Sequence, residues 1–235
     1  ASTVFSASEA AGAIEELSKA GLTTGDIIGG GLYGALDLAA AGGLEVAQAA
    51  EITSASLNQF GLKGDQAAHV ADLLAAGAGK ANGEVSDLGM ALNQAGLIAN
   101  QTGLSIEETT GGLAAFAQAG LTGSDAGTSM KTMLQRLTPQ SKAAEKQFEA
   151  LGISAYDAQG NFVGLADFAG QLQTAMKDLS PEARNAAMSV MFGADAVRAA
   201  TVLYDEGADG IQTWIDSVND QGYAAETAGL RLDNL

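Results

Sequence analysis

Apolar residues recur along this chain at helical spacing. Ile14, Leu17 and the Ala20-Gly21 pair fall three apart, and Val70, Leu73, Leu74 and Gly77 repeat the pattern. Spacings of three and four place such residues on one helix face. The stripes are punctuated by Gly followed by Leu or Ile: Gly21-Leu22, Gly61-Leu62, Gly103-Leu104, Gly120-Leu121 and Gly152-Ile153. A glycine just past a helix takes the left-handed conformation, and the apolar residue after it folds back on the last turn. Ser6-x-x-Glu9, Ser105-x-x-Glu108 and Thr122-x-x-Asp125 read as capping boxes, and Pro181 stands where a first helical turn tolerates it. These signals predict helices over 7–20, 25–41, 44–60, 65–79, 84–101, 106–119, 125–137, 140–151, 165–178, 181–192, 195–206, 210–219 and 223–233. One stretch breaks the pattern. Asp157-Ala158-Gln159-Gly160 is a turn signal between Ile153-x-x-Tyr156 and Phe162-Val163, which predicts a short β-hairpin over 153–163.

The expected fold is therefore all-α, a compact multi-helix module with that one hairpin. The hairpin is the seam. It divides the chain into a helical subdomain over 1–152 and a hairpin plus C-terminal helical subdomain over 153–235. Sustained heptads are absent, and helix breakers forbid one long rod. Weak internal similarity links Gly61-Leu62 to Gly103-Leu104, and Gly12–Thr23 to Gly111–Thr122, at spacings that fit no solenoid period.

Composition sharpens this picture. The 235 residues include 31 Gly, 2 Pro and 5% aromatics, so small side chains and close helix packing dominate. Eleven basic residues face 28 acidic ones, for a net charge of −17. Phosphate recognition wants clustered Lys and Arg, so direct nucleic-acid binding is not expected. Crowded like charges should raise carboxylate pKa values. With no Cys, disulfides, thiolate metal sites and cysteine nucleophiles are excluded. The first residues carry neither a basic n-region nor an apolar h-region, so no signal peptide is expected there. The uncharged run Leu88–Ile106 holds Asn93, Gln94, Asn100 and Gln101 and makes a poor membrane span.

Candidate chemistry is thin. Gly29-Gly30-Gly31-Leu32-Tyr33-Gly34 spells a dinucleotide fingerprint, but no strand of adequate length precedes it. It reads better as a face where Gly30 and Gly34 admit a neighbouring helix. Gly123–Thr128 lacks the lysine of a phosphate loop and reads as a helix cap. The adjacent pairs Glu15-Glu16 and Glu107-Glu108 diverge on a helix and suit a solvated face. His69 is the only histidine, which excludes multi-His metal sites. Asp157–Gly160 lacks the ligand alternation of a calcium loop, and no serine is flanked as in a nucleophile elbow. Trp214, Phe116, Phe148, Phe168 and Phe192 read as core anchors. No catalytic residue, cofactor or metal is expected.

Taken in order, the joints resemble a known pattern. Thr3-x-Phe5-Ser6-Ala7-x-Glu9-Ala10-Ala11 leads to Leu17 and then Ala20-Gly21. Ala119-Gly120-Leu121-Thr122-Gly123-Ser124-Asp125-Ala126-Gly127-Thr128 is followed by Met130 and Leu134. Leu151-Gly152-Ile153, Asp157-x-x-Gly160 and Met191-Phe192-Gly193 complete the series, with Ala196 and Ala199-Ala200. This resembles the core region of phage tail tape measure proteins. The family-motif residues are Phe5, Ala20, Gly21, Gly120, Gly123, Ala126, Gly127, Leu134, Gly152, Gly160, Phe192 and Gly193. The resemblance implies a non-enzymatic virion protein, acting in tail-length determination, tail assembly and genome ejection. It implies a location inside the tail tube, after assembly in the host cytoplasm, and an excised domain of a longer protein. Implied partners are other copies of the same protein, tail-tube and tail-tip proteins and a tail assembly chaperone, with transient contact to the host membrane. Two other readings compete: a helical protein that rearranges into a membrane channel through Leu88–Leu121, and a nucleotide-dependent enzyme built on Gly29–Gly34.

Overall fold

A computed structural model describes residues 5–232. Thr3, which opens the resemblance, and residue 233, at the end of the last expected helix, lie outside the described residues. The chain forms α1 (Ala7–Lys19), the single turn α2 (Thr24–Asp26), α3 (Leu32–Gly42), α4 (Val46–Phe60), α5 (Ala67–Lys80) and α6 (Val85–Thr102). It continues through α7 (Ile106–Gln118), α8 (Gly123–Arg136), α9 (Lys142–Leu151), α10 (Leu165–Met176), α11 (Pro181–Val218) and α12 (Tyr223–Leu232). The early helices alternate between two layers. α1, α4, α6 and α8 pack side by side in one, and α3, α5, α7 and α11 in the other. α10 and α9 pack on α11, and α12 returns to cover α3 and α5.

The expected joints are present, and all are built the same way. Leu22, Leu62, Leu104, Leu121 and Ile153 each donate a backbone N–H to the carbonyl five residues back, at 2.8–3.1 Å. The glycine before each has positive φ. Gly43-Leu44 is a sixth joint of this kind that the Gly-Leu reading passed over. The Ser6 and Ser105 capping boxes form. Thr23 and Asp26 form another, unanticipated one. Thr122 does not cap α8. Gly123 enters that helix at φ +60°, and Asp125 reaches Arg198 instead.

Three expectations need correction. The helix expected over 25–41 is interrupted, because α2 runs into a π-helical turn, Ile27–Gly31, with Gly30 outside helical geometry. Three successive glycines hold a helix weakly, and this turn lies against the 3₁₀ turn Gly64–Gln66. The expected hairpin over 153–163 is not formed, and the described residues contain no strand. A single antiparallel bridge joins Tyr156 to Phe162. The Asp157 carboxylate takes the Gln159 and Asn161 N–H groups at 2.9 Å, so a side chain closes the turn where a ladder would have to run. Gly164, at φ +91°, then sends the chain directly into α10. In α1 the buried face is Ala13 and Leu17, and Ile14 is exposed.

Close approach through small residues organises the interior. A Cβ on Gly34 would stand 2.6 Å from the Ala67 backbone, as the close-packing reading requires. Gly127 meets Ala91 between α8 and α6, and Gly111 meets Ile215 between α7 and α11. Phe116, Phe168 and Phe192 are fully buried. Phe192 makes edge-on contacts with Phe148 and Phe168. Trp214 packs against the core but is only partly buried.

α11 is not one rod. Gly193 (φ +71°, ψ 179°) and Gly207 (φ +65°, ψ −170°) break it into 181–192, 194–206 and 208–218, close to the three helices read from the sequence. Among the described residues α11 is the one helix long and apolar enough to cross a membrane. Its breaks leave no stretch near the roughly 20 residues a span requires. Leu88–Leu121 makes α6, a glycine joint and α7, with Leu88, Leu92, Ala95, Leu113 and Phe116 in the core. That burial disfavours the channel reading.

Candidate functional site

The motif residues converge mainly around α8. Gly123, Ala126 and Gly127 lie on its first half against α6. A Cβ on Gly123 would approach Asp87 and Met90, and one on Gly127 would lie 2.8 Å from Ala91 Cα. Ala126 and Leu134 are buried. Gly193 lies beside Arg136, near Leu134 at the end of the same helix. Leu134 and Gly160 also share the rim of a cleft of about 710 Å³, between the C-terminal ends of α6 and α8 and the 156–162 turn.

Other motif residues stand apart. Ala20 and Gly21 end α1, where Asn58 of α4 donates to the Ala20 carbonyl at 2.9 Å. Phe5 packs on the core just ahead of α1. Gly120 ends α7 and borders a second groove with Arg198 and Asp205 of α11. Gly152 ends α9. The twelve residues therefore form no single pocket. Each sits at a helix joint, a helix contact or a turn.

Polar contacts that the motifs did not disclose tie the layers together. Ser129 of α8 accepts from the Ala199 N–H at 3.2 Å and donates to the Asp195 carbonyl at 2.7 Å. His69 of α5 meets Glu107 of α7 at 2.6 Å. Burial pushes the Glu107 carboxyl up, but its hydrogen bonds, led by that from His69, outweigh this and leave it below its ordinary value. Asp72 of α5 is buried, and its carboxylate accepts the Gly222 and Ala224 N–H groups at 2.7 and 2.9 Å. It thus caps α12 from about 150 residues away. Lys80 reinforces the contact through Asp220 at 2.5 Å and the Ser217 carbonyl at 2.9 Å. Only spacing in three dimensions reveals these pairs; nothing local in the sequence marks them.

The chemistry available is that of packing and capping. Among the described residues no group of three His, Asp or Glu side chains is placed to hold a metal ion. The Gly29–Gly34 fingerprint sits in the interrupted helix entry, with no strand before it. Its conformation serves contact with the Gly64 turn.

Comparison with known proteins fits such an arrangement. The family model for phage-related minor tail proteins matches residues 1–193. The chain belongs to that family. It is 39% identical to the tape measure protein of Pneumococcus phage Dp-1, over the whole of this chain and 20% of that protein. It is 29% identical to a protein of Escherichia phage P2 named "Probable tape measure protein", over 99% of this chain and 29% of that protein. The chain thus spans a fifth to under a third of these relatives, and the tape measure resemblance read from the joints holds. No solved structure matches it. The family is described as that of phage-related minor tail proteins, and the two relatives are named a tape measure protein and a probable tape measure protein.

Proposed function

We propose that this segment is a non-enzymatic structural module of a tape measure protein, acting in tail-length determination, tail assembly and genome ejection. The observation that carries the reading is the match, along 100% and 99% of this chain, to a tape measure protein and to a protein named a probable tape measure protein. The fold supports it. The motif residues serve helix joints and contacts, and the carboxylates best placed for chemistry, Asp72 and Glu107, are engaged in capping and pairing. The working location is the tail interior, after assembly in the host cytoplasm. The partners are further copies of the protein, tail-tube and tail-tip proteins and an assembly chaperone, with transient contact to the host membrane during ejection.

A compact module and a ruler segment make different predictions. As one continuous helix, 235 residues would span about 350 Å at 1.5 Å per residue. An in-frame deletion of this segment from the phage gene, followed by electron microscopy of lysates, tests the proposal. Loss of tail assembly is the expected outcome. Normal, infectious tails of unchanged length would overturn it.

A further inference from the structure

We propose that Asn82, in the joint between α5 and α6, is a site of spontaneous deamidation, where the chain converts its own asparagine to aspartate and isoaspartate. The reaction needs no ligand, metal or enzyme. It needs an asparagine whose side-chain carbonyl carbon can be reached by the backbone nitrogen of the next residue. Asn82-Gly83 is the only Asn-Gly pair in the sequence. Glycine puts no side chain in the way and turns freely about φ and ψ, so its nitrogen can swing toward the preceding amide.

The fold leaves this pair open. The six glycine joints are each closed by a bond to the carbonyl five residues back. The joint between α5 and α6 is built differently. Ala81 follows α5 in an extended conformation (φ −118°, ψ 173°) and makes no cap bond. Glu84, just ahead of α6, does not cap that helix with its side chain. Asn82 is exposed. Neither its amide nor the Gly83 N–H takes part in a hydrogen bond. The amide is therefore free to rotate, and the attacking nitrogen has no bond to break first.

The other described asparagines are placed otherwise. Asn58 and Asn100 each donate to a backbone carbonyl at 2.9 Å, and Asn161 donates to the Asp157 carboxylate at 3.3 Å. Asn93 and Asn185 lie within α6 and α11, where the helix holds the next nitrogen away from the side chain. Asn219 is followed by Asp220, which is paired with Lys80.

The step balances with water alone. Gly83 N loses its proton to solvent and bonds to Asn82 Cγ. The Cγ–Nδ2 bond breaks, and the nitrogen leaves as ammonia with a proton from water. Water then opens the five-membered imide. Breaking the new Cγ–N bond gives aspartate. Breaking the original peptide bond gives isoaspartate, whose main chain runs through Cβ and Cγ and is one atom longer. Either product adds a negative charge two residues ahead of Glu84, at a helix N-terminus that favours it. Gly83 and Glu84 share the lining of a cleft of about 380 Å³ with Tyr223, Thr227 and Arg231 of α12. The modification thus changes charge and chain length beside the seat of that helix.

The test uses the whole folded chain, incubated in mildly alkaline buffer and sampled over time. Trypsin cuts after Lys80 and Lys131, so Asn82, Asn93 and Asn100 leave on one peptide and serve as mutual controls. Fragment-ion mass spectrometry measures conversion at each, with the zero-time digest as background. Asn82 should convert many-fold faster than the other two and yield isoaspartate together with aspartate. Gly83→Ala, with its fold checked by circular dichroism, should slow conversion at Asn82 several-fold and leave Asn93 and Asn100 unchanged. Equal conversion at all three positions would overturn the proposal. So would an Asn82 that stays intact in the folded chain while it converts in urea, because the joint would then be protected. Aspartate without isoaspartate would exclude the route through Gly83 N and overturn it as well.

Discussion

At the scale of single residues, Gly120 isolates the cost of a backbone conformation. It holds φ +82°, and a Cβ there would meet nothing within 4 Å. A side chain at this position would be penalised through the backbone and not through a clash. Gly120→Val should therefore destabilise the fold by about 1–2 kcal/mol, measured by chemical denaturation. An unchanged midpoint would mean that the α7 joint does not require the left-handed conformation. Asp72 makes the opposite case, since its value lies in contacts far along the chain. Asp72→Ala leaves the Gly222 and Ala224 N–H groups without their charged acceptor. Hydrogen bonds to a charged group contribute about 1.5–3 kcal/mol each, so for the two together a loss of about 3–6 kcal/mol is expected. Hydrogen exchange should quicken first in α12, and uniform exchange across the molecule would contradict the capping role.

At the scale of elements, carboxylates act where helices begin, and this reverses the expectation drawn from crowding. Side-chain and backbone hydrogen bonds to Ser6 hold Glu9 below its ordinary value, and those to Thr23 do the same for Asp26. The Lys19 ammonium lowers Glu15, and backbone N–H groups led by Asn161 lower Asp157. Among the described residues Asp37 alone of the shifted carboxylates goes up, through burial and then the nearby Asp72 charge. A group lowered in the folded state supports folding above its unfolded pKa, and that support is lost as pH falls through the folded value. Asp37 works the other way, adding stability at low pH that disappears as pH rises through its folded value. With five groups lowered and one raised, the melting temperature should drop as pH falls from about 5 toward 3. Circular dichroism melts should show this, with a shallower drop in Glu107→Gln. A melting temperature that rises on acidification would restore the crowding view.

The same scale shows how much of the fold is legible in the sequence. Joints built from Gly-Leu and Ser-x-x-Glu are readable because each is completed within six residues. The breaks at Gly193 and Gly207 are readable because glycine itself supplies the forbidden geometry. The hairpin is not, because Asp157 closes its own turn, and a turn signal does not specify whether paired strands flank it. The interruption at Ile27–Gly31 depends on the Gly64 turn, more than thirty residues away. His69–Glu107 and Asp72–Gly222 stay invisible for the same reason. The motif glycines at helix ends and in the 157–160 turn can be placed in advance, but the approach of Gly160 and Gly193 to the C-terminal end of α8 needs the tertiary fold.

At the scale of the whole molecule, two layers of short helices share one apolar cluster that runs from Ala13 to Ala224. Size scaling for 235 residues gives a radius of gyration of about 18 Å. Small-angle scattering of the monomer should return a value near this, and one above about 30 Å would contradict the packed arrangement.

The seat of α12 has a consequence for synthesis. The bond from Ala224 to Asp72 closes 152 residues of chain. Closing a loop this long adds little to the equilibrium cost, because each doubling of length adds only about 0.6 kcal/mol. Its effect is on time. A ribosome adds about 5–20 residues per second, so α3 and α5 emerge roughly 8–30 s before the helix that covers them. Through that interval the nascent chain presents an uncovered apolar face, and the Asp72 carboxylate lacks the Gly222 and Ala224 N–H groups that it later accepts. The N-terminal layers stack from neighbouring contacts meanwhile, and the last helix then closes over a surface that is already formed.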